Sequence, residues 1–140
     1  MFQRFHQLRE REEGFTLIEL LVVILIIAIL AAIAIPVFLE QRKKGWNAQT
    51  QSALKDAATA AESYAVDNNG DYTGLDATDE TGPIDDEGYN GASSVTLDIT
   101  ADETSYCILA NNSSFGGSGD EWEDASYDSA EGEPMPDDTC

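Results

Sequence analysis

The sequence predicts an α+β chain in which one long N-terminal helix precedes a small group of short strands. Three observations carry this. From Leu20 to Ile35 every residue is apolar, and with the flanking residues the run extends from Phe15 to Leu39. Beyond it, Trp46, Ala53, Ala57, Ala61 and Tyr64 recur at spacings of three, four and seven, the period of a helix face. Later, Val95, Leu97 and Ile99 alternate with Thr96 and Asp98, the period of a strand.

The first 13 residues, MFQRFHQLREREE, are charged and too short to be a domain. The apolar run from Phe15 to Leu39 covers about 37 Å at a helical rise, enough to cross a bilayer core. It contains one acid, Glu19. A carboxylate inside a membrane-length segment costs roughly 2.5–3.5 kcal/mol at mid-helix, so such a residue is a functional candidate by default. A secretory signal peptide is the competing reading, and Ala32-Ile33-Ala34 offers a cleavage pattern for it. The run is longer than the apolar core of such peptides, Glu19 falls inside it, and the helical pattern continues past Pro36.

Pro36 lacks the backbone N–H that a helix interior uses, so a kink or local loosening is expected there. The second half of the helix shows a small-residue stripe, widened by Leu54, Ala58 and Ala65, and Gly45 weakens it locally. It should stop at Asp67-Asn68-Asn69-Gly70, a cluster of turn formers with a candidate glycine cap. One helix from Phe15 to Asp67 would be roughly 80 Å long. Residues 70–93 read as a long irregular connection. Strands are expected at Val95–Ile99, at Tyr106–Leu109 and, more weakly, at Glu121–Tyr127, with Trp122 as anchor. Asn111–Ser114 and Gly116-Gly117 mark a hairpin turn, and the tail from Ser129 reads as irregular.

Charge is very uneven along the chain. Its formal net charge is −20, all seven basic residues lie at or before Lys55, and 22 acids with no Lys or Arg follow from Asp56 onward. Such a surface repels phosphates, so direct nucleic-acid binding by this part is not expected. The tract Asp67-Asn68-Asn69-Gly70-Asp71-Tyr72 mimics alternate calcium ligands, but Tyr72 stands where the loop glycine belongs and Thr78 where the closing Glu belongs. It reads as a helix-end turn. His6 is the only histidine, and no nucleophile–base arrangement is legible, so no catalytic residue, cofactor or metal is assigned. The overlapping Asn-x-Ser triplets at Asn111 and Asn112 indicate surface exposure at most. Cys107 and Cys140 are the only cysteines. They belong to no CxxC pair and have no neighbouring His, which argues against zinc and leaves a disulfide or two thiols.

The order Gly14-Phe15-Thr16-Leu17-Ile18-Glu19, followed by the apolar run, resembles the processing and assembly signal of type IV prepilins. The likeness covers residues 13–67 closely. It reaches more loosely to the Tyr106-Cys107-Ile108 strand, the Tyr127-Asp128-Ser129 turn and the terminal Cys140. The resemblance implies the pilin fold, with the second half of the helix packed on a small antiparallel sheet of about three to four strands. It divides the chain into a leader at 1–14, a transmembrane and filament-core helix at 15–39, an amphipathic helix half at 40–67 and an acidic head at 68–140. It implies cleavage between Gly14 and Phe15 by a prepilin peptidase, with methylation of the new N-terminus, and pairing of Glu19 with the N-terminal ammonium at Phe15 of a neighbouring subunit.

Glu19 could also pair with its own N-terminus, four residues away on the helix. Basic residues flank the apolar run on both sides, so the charge rule does not orient it. The resemblance does, with the N-terminus cytoplasmic and the cysteines outside, where a Cys107–Cys140 disulfide is expected. The implied partners are further copies of the chain, the pilus assembly platform of the inner membrane, the peptidase, and the membrane before assembly. The implied function is a structural, non-enzymatic one, polymerisation into an extracellular filament. The main alternative is a pseudopilin of a type II secretion system, which shares the N-terminal signal.

Overall fold

The computed structural model describes residues 14–76, 83–117, 119–137 and 139–140. Helix α1 spans Leu17–Asp67 and a single-turn helix α2 spans Pro83–Asp86. Four strands follow: β1 (Val95–Ala101), β2 (Tyr106–Asn112), β3 (Asp124–Asp128) and β4 (Pro134–Met135). They form one antiparallel sheet in the order β1-β2-β3-β4. The chain divides between Leu39 and Glu40 into two compact units.

In the first unit the large apolar side chains from Phe15 to Leu39 are exposed, from Phe15 at 90% to Val22 at 44%. No described residue of this unit buries them. Hydrocarbon or the same segment of other molecules is the environment that such a surface favours.

In the second unit the part of α1 beyond Glu40 buries Thr50, Ala53, Leu54, Ala57, Ala58, Ala60, Ala61 and Ala65. Six of these belong to the small stripe, Thr50 and Ala60 being buried beside it, and Trp46 and Tyr64 flank it half-buried. Short alanine side chains let the helix lie close to the inner sheet face, which contributes Val95, Ile99, Tyr106, Ile108, Ala110 and Ala125 to the same core. Leu54, Ile84 and Ile108 are the largest apolar side chains buried completely, each contributing about 1.5–3 kcal/mol relative to exposure. The register places Ile99 opposite Ile108, and Ile108 opposite Tyr127, so one face of the sheet meets the core throughout.

Several boundaries differ from the sequence expectation. Strand β2 continues through Asn111 and Asn112 where a turn was expected. The Asn112 amide is fully buried and donates to Thr50 Oγ1 (2.9 Å) and the Trp46 carbonyl (3.3 Å), a tertiary partnership that outweighs its turn preference. The turn itself is a 3-10 helix at Ser113–Phe115, capped by Asn112 Oδ1 and ended by Gly116 at φ 65°. Strand β3 begins at Asp124 rather than Glu121. Glu123 closes a turn instead, its N–H donating to Asp120 O and its carboxylate accepting from the N–H groups of Gly117 and Gly119. The tail contributes β4, pairing Ser126 with Met135 and Tyr127 with Pro134. The connection read as irregular contains α2, and its residues 77–82 lie outside the described residues. At the end of α1 both Asn69, at φ 60°, and Gly70, at φ 90°, take left-handed backbone, and the Gly70 N–H donates to Ala65 O at 2.7 Å.

The tyrosines give the second unit a pH limit. Tyr106 donates to Glu62 Oε1 and Tyr72 to Glu62 Oε2, both at 3.0 Å. Burial, then the Glu62 contact, raises the hydroxyl pKa of Tyr106 and Tyr72, and burial with the charges of Asp56 and Asp85 pushes Tyr89 from 10.0 to about 12. The folded state therefore favours the neutral phenols. This contribution is complete below the unfolded value near 10.0 and is lost as pH rises from there through about 12. Thermal melts followed by circular dichroism should show a stability plateau below that window and a decline across it. Tyrosinate absorbance rising with an ordinary midpoint in a still-folded protein would contradict this.

Candidate processing and assembly site at the start of α1

The first turn of α1 is built around Thr16 and Glu19. The Glu19 Oε2 atom accepts from the Thr16 N–H at 2.8 Å and from its hydroxyl at 2.7 Å, and the Thr16 hydroxyl oxygen accepts from the Glu19 N–H at 3.2 Å. This reciprocal arrangement is a capping box, with Thr16 at the cap and Glu19 three residues on. It meets backbone groups that the helix start leaves unpaired, and it places a negative charge at the positive end of the helix dipole. The signal for it, Thr-x-x-Glu before an apolar run, is present in the sequence, but the reading of Glu19 there centred on Phe15 and left Thr16 out.

The box uses one carboxylate oxygen. Glu19 Oε1 takes no partner among the described residues and remains open to a cation. Phe15 precedes the box and is 90% exposed. Gly14 precedes Phe15, and a Cβ added to it would meet no described atom within 4 Å. The backbone at Gly14-Phe15 is therefore uncovered by described residues, outside any helix and next to the start of α1. The helix that follows is long and apolar enough to cross a membrane. It continues through Pro36 without interruption.

In the second unit the disulfide Cys107–Cys140 joins β2 to the end of the chain, 33 residues apart in sequence and 5.9 Å between Cα atoms. Cys107 projects from the outer sheet face, opposite Ile108 and the core. Ser126 on the same outer face is fully buried and its hydroxyl donates to Thr139 O at 2.9 Å and to Asp137 Oδ1 at 3.2 Å. The acidic tail thus lies across this face under two kinds of attachment. Among the described residues no group of three or more His, Cys, Asp or Glu is placed to hold a metal ion.

An exposed apolar helix with a capped carboxylate at its start, followed by a helix half packed on a four-stranded meander with a stapled tail, defines a pilin-like protein. Residues 9–35 match the family model described as a prokaryotic N-terminal methylation motif. The chain is 41% identical over 101 residues to the type IV wide pilus major component PilA4 of Thermus thermophilus, covering 72% of this chain and 74% of that protein. It is 43% identical over 61 residues to the type IV major pilin protein PilA of Myxococcus xanthus, covering 44% of this chain and 28% of that one. The match to the type II secretion system core protein G of Aeromonas hydrophila is 36% over 72 residues, about half of each chain. No solved structure matches the chain. The chain belongs to the type IV pilin family.

Proposed function

We propose that this chain is the precursor of a structural subunit that polymerises through its N-terminal apolar helix into an extracellular type IV pilus. The observation that carries this reading is the join of a capped, half-satisfied Glu19 to a segment whose large apolar side chains are all exposed. In the proposed sequence of events a prepilin peptidase cuts between Gly14 and Phe15, leaving an ammonium at Phe15 that the same enzyme methylates. The mature subunit rests in the cytoplasmic membrane as a single-pass protein with residues 15–39 in the bilayer. The assembly platform then transfers it to the filament base. There Glu19 accepts the Phe15 ammonium of a neighbour through its open oxygen, while residues 15–39 of many copies pack together and the acidic heads face water. Pro36 leaves the Ala32 carbonyl without its helical donor and so gives α1 a point of bending. The role is structural rather than catalytic. The secretion-system reading has narrower support, because those relatives match over about half the chain whereas the wide-pilus component matches over nearly three quarters of its length.

Filaments sheared from cells and identified by mass test the reading. The subunit mass should correspond to a chain starting at methylated Phe15. A chain beginning at Ile35 would instead indicate an ordinary signal peptide. Replacing Gly14 with Leu should leave nearly all of the precursor uncut, because the peptidase must admit the backbone at a position where the wild type carries no side chain. Normal cleavage of the Leu variant, read by N-terminal sequencing, would remove Gly14 from the processing site.

A further inference from the structure

The mature chain would carry only four basic side chains, Arg42, Lys43, Lys44 and Lys55, and three of them are consecutive. They begin three residues along α1 from Leu39, where the apolar segment ends. Lys43 is engaged, its Nζ 3.3 Å from Asp120 Oδ2. The other two keep their charge open. Arg42 lies over the Trp46 ring at 4.9 Å from its centroid, and Lys44 is exposed with no partner among the described residues. Trp46 is half-buried, held edge-on by Phe115 at 5.3 Å. At a helical rise, residues 42–46 begin about 5 Å beyond the apolar run and end about 10 Å beyond it. Arg42 and Lys44 thus reach the outer part of a headgroup layer, which occupies roughly 5–8 Å on each side of the hydrocarbon core, and the Trp46 backbone lies just beyond it, while helical side chains lean back toward the N-terminus and so toward the hydrocarbon. An aromatic ring with a polar edge and long basic side chains are the groups that suit this layer.

We propose that Arg42, Lys44 and Trp46 form a collar that binds anionic phospholipid headgroups at the leaflet where the apolar segment ends. The proposal rests on the membrane-resident subunit proposed above. Charge complementarity selects the lipid. From Asp56 onward the chain has 22 acids and no Lys or Arg, so an anionic membrane surface repels the rest of the head. The collar is the part able to hold a headgroup phosphate beside such a head. It also accounts for basic residues on both sides of the span, since those on the outer side serve an interface rather than orientation.

The test uses the mature chain, beginning at Phe15 and so free of Arg4, Arg9 and Arg11, reconstituted in phosphatidylcholine vesicles containing phosphatidylglycerol, with spin-labelled versions of each lipid as probes. The wild type should restrict labelled phosphatidylglycerol at least about threefold more than labelled phosphatidylcholine in low salt, and high salt should abolish the preference. Arg42→Gln with Lys44→Gln should show equal restriction of both lipids. Lys44→Gln alone, which disturbs no packing, should show an intermediate value. A chain that enters the vesicles but shows no preference, or keeps it in the double variant, overturns the collar and leaves membrane residence intact. A double variant that retains lipid selectivity but loses filaments assigns these cations to a neighbouring subunit and also overturns the collar. A wild-type chain that does not stay with pure phosphatidylcholine vesicles overturns both readings.

Discussion

Cells whose only copy of this subunit carries Glu19→Ala are expected to insert and process the chain at Phe15 yet display few or no filaments. Glu19 is the single acid between Phe15 and Leu39, so in an apolar surrounding an N-terminal ammonium has few other acceptors. Removing one partner of such a buried pair costs roughly 3–5 kcal/mol, because the remaining charge is left without compensation. At the elongating end of a filament that corresponds to at least a hundredfold loss in the equilibrium for adding a subunit. Glu19→Asp should be partly defective, since the shorter arm reaches less far. Asp98→Asn, an exposed residue on the outer sheet face, should assemble normally.

The capping box supplies a sharper control. Thr16→Ala removes the hydroxyl contacts of the box, leaving the backbone N–H of residue 16 as the local donor to Glu19, keeps the carboxylate, and should cost the helix end only about 0.5–2 kcal/mol. Filaments from Thr16→Ala with none from Glu19→Ala, scored by electron microscopy of sheared material, would place the function of the carboxylate outside its own helix. Abundant filaments from Glu19→Ala would show that apolar packing sets the register and that Glu19 serves the helix end alone.

The parts of the fold that were legible in the sequence are those in which local pattern and tertiary environment agree. The alanine stripe from Ala53 to Ala65 predicts the buried face of α1, and the alternation from Val95 to Ile99 predicts the inward face of β1. The parts that were not legible depend on partners distant in sequence. Asn112 sits in a run of four turn-forming residues, yet it is fully buried because Thr50, 62 positions away, accepts its amide. Glu123 lies in a stretch with strand character, yet the Gly117 and Gly119 N–H groups draw it into a turn. Strand β4 contains Pro134 and only one other residue, and it exists because β3 offers it an edge. At the candidate site the residue types were legible, but Thr16 went unrecognised as the partner of Glu19. The Thr16 hydroxyl is a weak local signal beside a carboxylate in an apolar run, and only the geometry of the first turn joins the two.

The second large effect is expected from Cys140→Ser. A cross-link spanning 33 residues restricts the unfolded chain by an amount worth on the order of 4 kcal/mol. A domain of this size has about 5–15 kcal/mol of stability altogether, so the loss is a large share of the whole. The melting temperature of the second unit, followed by circular dichroism on the full chain in detergent, should fall by about 20 °C. The loss should also be local before it is global. Once the bond is gone, the tail is held by Ser129, which exchanges hydrogen bonds with the Tyr106 backbone, by the two-residue β4 ladder and by the Ser126 hydroxyl, which meets Thr139 O and Asp137. Exposed, acidic and short of apolar anchors, this segment gains little by staying in place. Amide exchange should therefore accelerate first after Tyr127, while β1 and β2 remain protected around Ile99 and Ile108. Ser126, buried under the tail in the intact protein, should become accessible in the same step. Unchanged exchange in the tail of Cys140→Ser, with an unchanged melting temperature, would mean that hydrogen bonds to the outer sheet face hold the tail without the disulfide. A loss of β1 and β2 protection at the same rate as the tail would mean that the tail is part of the cooperative core rather than a strap across it.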